Sequence, residues 1–371
     1  TDSVVTFSGF QTVTGGDQQD VFNFDVAFAG QVNGGDGDDT FNIRNIGLIF
    51  NDFAQTAPVT PEARYTIPNL DGGAGNDTLV AADENNYWYV VDGSNNGGAG
   101  EIYANADPNR NTRTDFRVTF DNMNILDGGN AVDDFAVNTT SLPVIIHGND
   151  GANSLDLSNV TEAFTLQVGG AGFSGFDLYV GNTISTIQAQ DDVVNTWTIG
   201  QITDAGSGAV GHGGNDGEDD GSIRNGAGTV ADPFTYTYFL NFGNMQGGNS
   251  TDNFTIQSTG VVTGSLDGGS GTNTLTGPNL AVTWDLNDTN TWGQAGVLNQ
   301  IYNTASAATV YVNDFNNIDI LNGGSAVDTF DIGDSYAGQI NGGASDDFFN
   351  ITSDTAMLSN ASAITGGSGS D

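Results

Sequence analysis

Along most of the chain, single apolar residues alternate with polar ones in short runs: VFNF from Val21, TFNI from Thr40, DNFTI from Asp252 and TFDI from Thr329. A period of two is the mark of a half-buried strand, whereas no long stretch carries the 3.6-residue period of an amphipathic helix. Each run is entered from a glycine turn, and the turns share a phrase. GGDQQDVFNF starts at Gly15, GGDGDDTFNI at Gly34, GGAGNDTLVA at Gly72 and GGNAVDDFAV at Gly128. GNDGANSLDL at Gly148, GGAGFSGFDL at Gly169, GGNSTDNFTI at Gly247, GGSGTNTLTG at Gly268, GGSAVDTFDI at Gly323 and GGASDDFFNI at Gly342 follow, and an eleventh copy opens at Gly366. Five residues after the first Gly stands Asp in eight copies, Asn153 and Asn273 in two, and Ser174 in one. Seven after it comes a large apolar residue, such as Phe22, Phe41, Leu79 or Phe330.

Most steps between copies are near multiples of about 20 residues, and a period-two strand returning at that interval is what stacked coils require. The expected fold is therefore all-β: a parallel β-solenoid (β-helix) of about 18 coils, with glycine/aspartate turns, over 1–371 as a single continuous array. Its core would be ladders of like residues. Loop inserts are expected near 50–69, 92–115 and 203–232. A second rhythm accompanies the first: NYWYV, NTWTI and VTWDL each precede an insert, an aromatic strand, an Asn-rich turn and a Gly-Gly anchor. Glycine, Asn, Asp, Thr and β-branched residues are poor helix formers, which agrees.

Charge narrows the function. The 371 residues carry 46 acids against six bases, a formal net charge of -40, and all six bases are Arg. Nucleic acid and anionic membrane surfaces are repelled by such a chain. Five acids are Glu, so the other 41 are Asp, the side chain that binds its own turn or a cation held in that turn. Without Cys there are no disulfides, thiolate catalysis or zinc-thiolate sites. No apolar run approaches the roughly 20 residues of a membrane helix. The terminal motif copies are cut through, which fits either an excised segment or a subunit whose ends stack on the next copy.

GGDGDDTF and GGAGNDTL resemble the nonapeptide repeat of haemolysin-type (RTX) calcium-binding proteins. That resemblance implies calcium as cofactor and, by position, Asp39 and Asp77 as ligands, with Asp20, Asp328, Asp347 and Asp371 as looser equivalents. The phrase here comes once per 19 to 21 residues instead of every nine, and several copies lack the third Gly. The alternative is a metal-free column in which Asp accepts N–H bonds from its own turn. The longer pattern, anchor plus Trp strand plus Asn-rich turn, is similar to the repeat arrays of large bacterial surface and filamentous adhesin-like proteins. It implies a non-enzymatic, secreted or surface-displayed fibre, filament or adhesin stalk that self-associates and meets a surface glycan or matrix.

Two local features remain. Asp216, Glu218, Asp220 and Gly221 read D-x-E-x-D-G, like the first half of an EF-hand loop, but Ala227 stands where the closing Glu belongs. A solvated acidic loop is the plainer reading. Arg110, Arg113 and Arg117 gather half the positive charge within eight residues and are candidates for docking the acidic flank of a neighbouring chain. The competing class is a β-helix enzyme acting on polysaccharide, and with 46 acids a carboxylate pair identifies nothing. His147 and His212 belong to no recognisable catalytic constellation.

Overall fold

The computed structural model describes residues 9–25, 28, 30–44, 70–93, 97–104, 116–140, 142, 144–203, 217–225, 235–286, 299–305, 309–333, 336, 338–351 and 363–371. These residues are all-β, without a helix, and most strand pairs are parallel. They fall into two compact units: Thr1–Glu162 with Gly169–Phe176, and Ala163–Val168 with Asp177–Asp371.

In the first unit the chain passes alternately between two sheets. One sheet stacks Val21–Phe24, Thr40–Ile43, Thr78–Val80, Ile125–Asp127, Ile145–His147 and Phe173–Ser174, all parallel and in register. Register puts like on like: Phe22 lies over Phe41 and Phe41 over Leu79, and the first two rings stack with centroids 5.0 Å apart. Every second side chain is buried, because strand side chains alternate between faces. The other sheet stacks Thr12–Thr14, Gln31–Asp36, Leu70–Ala74 and Phe116–Met123 in parallel. It then reverses through Gly98–Ala104 and Asn86–Asp92 before Asp133–Asn138 and Ser154–Asp156 resume the parallel direction.

The second unit repeats this plan. One sheet holds the aligned apolar row Phe254, Leu275, Leu321, Ile340 and Ile364, each the register partner of the next. The other holds Leu166, Ile187, Met245, Leu266 and Phe315. Antiparallel reversals occur at Asn195–Ile199, Gly221–Asn225 and Thr235–Leu240, and again at Val282–Leu286, Gln300–Asn303 and Val310–Asn316.

Each reversal is a three-stranded meander that opens with a Trp. Trp88, Trp197 and Trp284 are fully buried, and each stacks on the Phe of the following motif, Phe135, Phe254 and Phe330, at 4.8, 5.1 and 5.3 Å. On the other side each meets an aromatic edge-on across the middle strand: Phe120, Phe239 and Phe315. In the first two cases a glycine of the middle strand opens the path, since a Cβ at Gly100 or Gly221 would lie within 2.8 Å of the Phe ring. The inserts expected near 92–115 and 203–232 thus contain the middle strands Gly98–Ala104 and Gly221–Asn225. The insert expected near 50–69 lies outside the described residues.

The meanders also change the phase of the repeat. Before the first, Gly-Gly anchor strands such as Gln31–Asp36 stack on one another. After it, the anchor strand Ile125–Asp127 stacks on the motif strand Thr78–Val80 instead, and Asp133–Asn138 stacks on the Trp strand. A uniform column of equivalent positions is therefore corrected to a column that exchanges sheets at Trp88 and again at Trp284. One motif copy also moves: Phe173 and Ser174 pair with Ile146 and His147, so Gly175 stacks on Gly148, and the phrase at Gly169 is not in register with it. Ser174 belongs to an anchor strand and not to the acid column.

Candidate functional site

In every copy but that at Gly169, the residue five places after the first glycine lies beside that glycine. Asp39, Asp77, Asp133, Asp252 and Asp328 are fully buried and Asp347 nearly so. Asp133 and Asp252 take side-chain donors on Oδ1, whereas in the other four the acceptor geometry is the same. Oδ1 accepts the backbone N–H of the equivalent residue in the preceding coil: Asp39 from Asp20 at 2.8 Å, Asp77 from Asp39 at 2.8 Å, Asp328 from Val282 at 3.2 Å, and Asp347 from Asp328 at 2.9 Å. Asp371 continues the ladder by accepting from Asp347 at 2.9 Å. The column accordingly bonds coil to coil, where the metal-free expectation had each Asp bonding its own turn. Bonds within the turn are made to Asp20 and Asp252, from the N–H of Gly16 and Gly248 at 2.8 and 2.9 Å.

Oδ2 occupies the space that a side chain on the anchor glycine would fill. A Cβ on Gly34 would stand 2.0 Å from Asp39 Oδ2 and 2.4 Å from the carbonyl oxygen of Gly72, which is why this position is glycine. At Gly323 the same point is crowded by Asp328 Oδ2 and the Gly342 carbonyl, and at Gly342 by Asp347 Oδ2 and the Gly366 carbonyl. Acid oxygen thus faces carbonyl oxygen, and Oδ2 of Asp39, Asp77, Asp133, Asp328 and Asp347 is buried with no hydrogen-bond partner. Burial pushes the carboxyls upward from their ordinary value, Asp77 and Asp252 to about 6 and Asp133 and Asp328 to about 7. Asp39 and Asp347 are raised too, for the same first reason.

Two Asn residues fill the same seat. Asn153 Oδ1 accepts the Asp133 N–H at 2.8 Å, and its Nδ2 donates to the carbonyls of Gly175, Asn149 and Asp150 at 2.8, 3.3 and 3.3 Å. Asn273 does likewise, accepting from Asp252 at 3.0 Å and donating to the Asn317 carbonyl at 3.1 Å. The seat therefore wants an acceptor on one side and a donor on the other.

Other members of the column lack the Gly-Gly phrase. Asn86 and Asn195 are register partners of Asp133 and Asp252, two residues before Trp88 and Trp197. Those tryptophans donate Nε1–H to Asp133 and Asp252 at 3.1 and 3.3 Å, and Asn86 adds a bond to Asp133 at 2.8 Å. Val282 takes the third such place, and Trp284 Nε1 is buried without a partner. Where the sheets exchange, Asn124 accepts from Asp77 and Asp319 accepts from Asn273. The signal for these was the Asn-rich turn before ILDGG and the fixed two-residue offset from each Trp.

A bound calcium ion takes six to eight oxygens. Among the described residues no group of three or more His, Asp or Glu side chains is placed to share a metal ion. The acids that the RTX resemblance singles out, Asp20, Asp39, Asp77, Asp328 and Asp347, stand one to a coil. Each faces its own glycine, and the seat tolerates an amide NH2 group, which repels a cation.

Of the EF-hand-like cluster, Asp216 lies outside the described residues. Glu218 bridges in parallel to Val261. Asp220 is fully buried and accepts the N–H groups of Gly217 and Asn241 at 2.9 and 3.1 Å, while Asp219, also buried, binds the N–H and hydroxyl of Thr263. Asp219 and Asp220 are thus held by backbone donors, while Glu218 is exposed. Of the Arg cluster, Arg110 and Arg113 lie outside the described residues, and Arg117 is in the strand Phe116–Met123.

Neither a protein-family model nor a curated protein matches this sequence.

Proposed function

We propose that each unit is a parallel β-solenoid and that the chain is a non-enzymatic structural protein: a stiff acidic element of an extracellular or cell-surface fibre, filament or adhesin stalk that self-associates. The observation that carries this reading is the ladder itself. Backbone N–H to side-chain bonds tie each coil to the next across 19, 38, 20, 21 and 19 residues of sequence, on the same atoms each time. Repetition of one supporting contact suits a load-bearing array, in which each repeat is stabilised by its neighbours.

The outer surface supports the same reading. Polar side chains stack in rows along the coils, with Asn42 bonding Asn23 at 3.0 Å, Asn341 bonding Asn322 at 2.8 Å and Asn350 bonding Asp331 at 2.8 Å. Arg44 sits 3.7 Å from Asp25, with both side chains more than half exposed. With -40 net charge, side-by-side association needs counter-ions, so assembly should strengthen with salt as repulsion is screened. Electron microscopy of the purified chain across a salt series tests this. Filaments or elongated particles that lengthen with added salt are expected. Compact particles, unchanged in size from low to high salt, would contradict the fibre role.

A further inference from the structure

The seat beside the anchor glycine at Gly128 differs from that one coil onward by a single chemical group. Asp133 holds the first and Asn153 the second, and register places Gly128 on Gly148 and Gly148 on Gly175. Asn153 turns its NH2 toward the carbonyls of Gly175, Asn149 and Asp150. Their equivalents one coil back are the carbonyls of Gly148, Gly129 and Asn130, and the atom presented to that position is Asp133 Oδ2. That oxygen is buried without a partner and lies 2.7 Å from where a Gly128 Cβ would be. The other oxygen is already occupied by Asn86 and Trp88. An ionised carboxylate here would leave one oxygen with nothing to accept from, at a fully buried position.

We propose that Asp133 is held in the folded protein as a neutral carboxylic acid whose Oδ2–H takes the donor place that the Asn153 amide takes one coil later. The proton comes from solvent water and leaves to it on unfolding. The charged groups acting on the carboxyl are Asp134 of its own strand and Asp127 of the anchor strand, both negative, and both favour the neutral form. Asn86 and Trp88, from the Trp strand, are neutral donors and Asn153 is a neutral amide. Burial, the largest cause, moves the group up to about 7 from an ordinary 3.8. The folded state therefore binds the proton more tightly than the unfolded chain, so this group's stabilisation is complete below pH 4 and is lost as the pH rises through about 7. Asp252 differs, because its Oδ2 already accepts the Gly248 N–H, and an amide there would set two donors against each other.

The test compares the full chain with Asp133→Asn and Asp252→Asn by urea unfolding from pH 4 to pH 8. Expected is an Asp133→Asn protein that unfolds at the parent's midpoint at pH 4 but above it at pH 8, with its folding equilibrium constant raised at least about tenfold there. Asp252→Asn should instead lower the midpoint at pH 8. An Asp133→Asn midpoint below the parent's at pH 8 would overturn the proposal. So would a parent stabilised at pH 8 by calcium and destabilised by chelator when Asp133→Asn is not, since a cation would then fill the seat. Should a variant not fold, difference infrared spectra of the parent and Asp133→Ser decide. A buried protonated-carboxyl C=O band at pH 6 that loses intensity in Asp133→Ser supports the neutral acid, and its absence from the parent, or a band of equal intensity in Asp133→Ser, overturns it.

Discussion

The column Asp20–Asp39–Asp77 and the pair Asp133–Asn153 meet the same geometric demand with different atoms. In both, one side-chain oxygen accepts the N–H of the coil before. They differ on the far side, where Asn153 donates to a carbonyl at 2.8 Å and Asp39 and Asp77 present a bare oxygen. The backbone is the same, so the difference shows what the seat is for. It fastens coils, and an uncharged occupant suits it better at neutral pH than a charged one. Asp in most copies then makes the array tighter in acid than in alkali, because the raised carboxyls regain their protons there.

The comparison breaks most severely if the seat is filled. Gly34→Ala and Gly148→Ala each place a Cβ against a carbonyl oxygen of the adjoining coil, 2.4 Å away in both cases, and against the seated side chain. Backbone cannot retreat from such a contact without parting two strands, so each should cost more than about 3 kcal/mol in a chemical denaturation curve. Equal effects at the two sites would confirm a single seat.

A smaller change sharpens the contrast. Asn153→Asp converts the amide seat into an acid one and should cost about 1–3 kcal/mol at pH 8, the price of a buried acceptor without a donor. Most of the loss should return at pH 4, where the new carboxyl is neutral. Urea midpoints at the two pH values read this directly, and a loss independent of pH would show that shape, not charge, governs the seat.

The smallest effect concerns the tryptophans. Trp88→Phe removes a donor to Asp133 at 3.1 Å, whereas Trp284→Phe removes an N–H that has no partner. Both rings stack on the following Phe, Trp88 on Phe135 at 4.8 Å and Trp284 on Phe330 at 5.3 Å. Thermal melts should therefore find Trp88→Phe the more damaging by about 1 kcal/mol.

Much of this was legible in the sequence because a period-two strand tied to a glycine turn is a strong signal. The Phe22–Phe41–Leu79 row and the acid column could be read from spacing alone. What spacing could not give was the phase change. Asn86 and Asn195 occupy column positions with no Gly-Gly before them, and their kinship with Asp133 and Asp252 appears only when the strands are paired. The copy at Gly169 fails for a related reason: a glycine phrase fixes a turn, but register is fixed by which apolar residues stack, and Phe173 is the residue over Ile146. The EF-hand-like run divides in a way that spacing does not show: Glu218 is exposed, while Asp220 accepts the N–H of Gly217 in its own turn and that of Asn241, and Asp219 accepts that of Thr263.

The most direct measurement exploits a chain that has no Cys. Asn23 and Asn42 are parallel register partners whose side chains bond outside the core at 3.0 Å. Replacing both with Cys should give rapid, near-complete disulfide formation on mild oxidation, because stacked parallel strands lie about 4.8 Å apart, within reach of the bond. Cysteines at Asn23 and Thr40, two residues out of register, should stay reduced. Equal cross-linking of both pairs, or cross-linking of the second alone, would contradict the stacking on which the ladder depends.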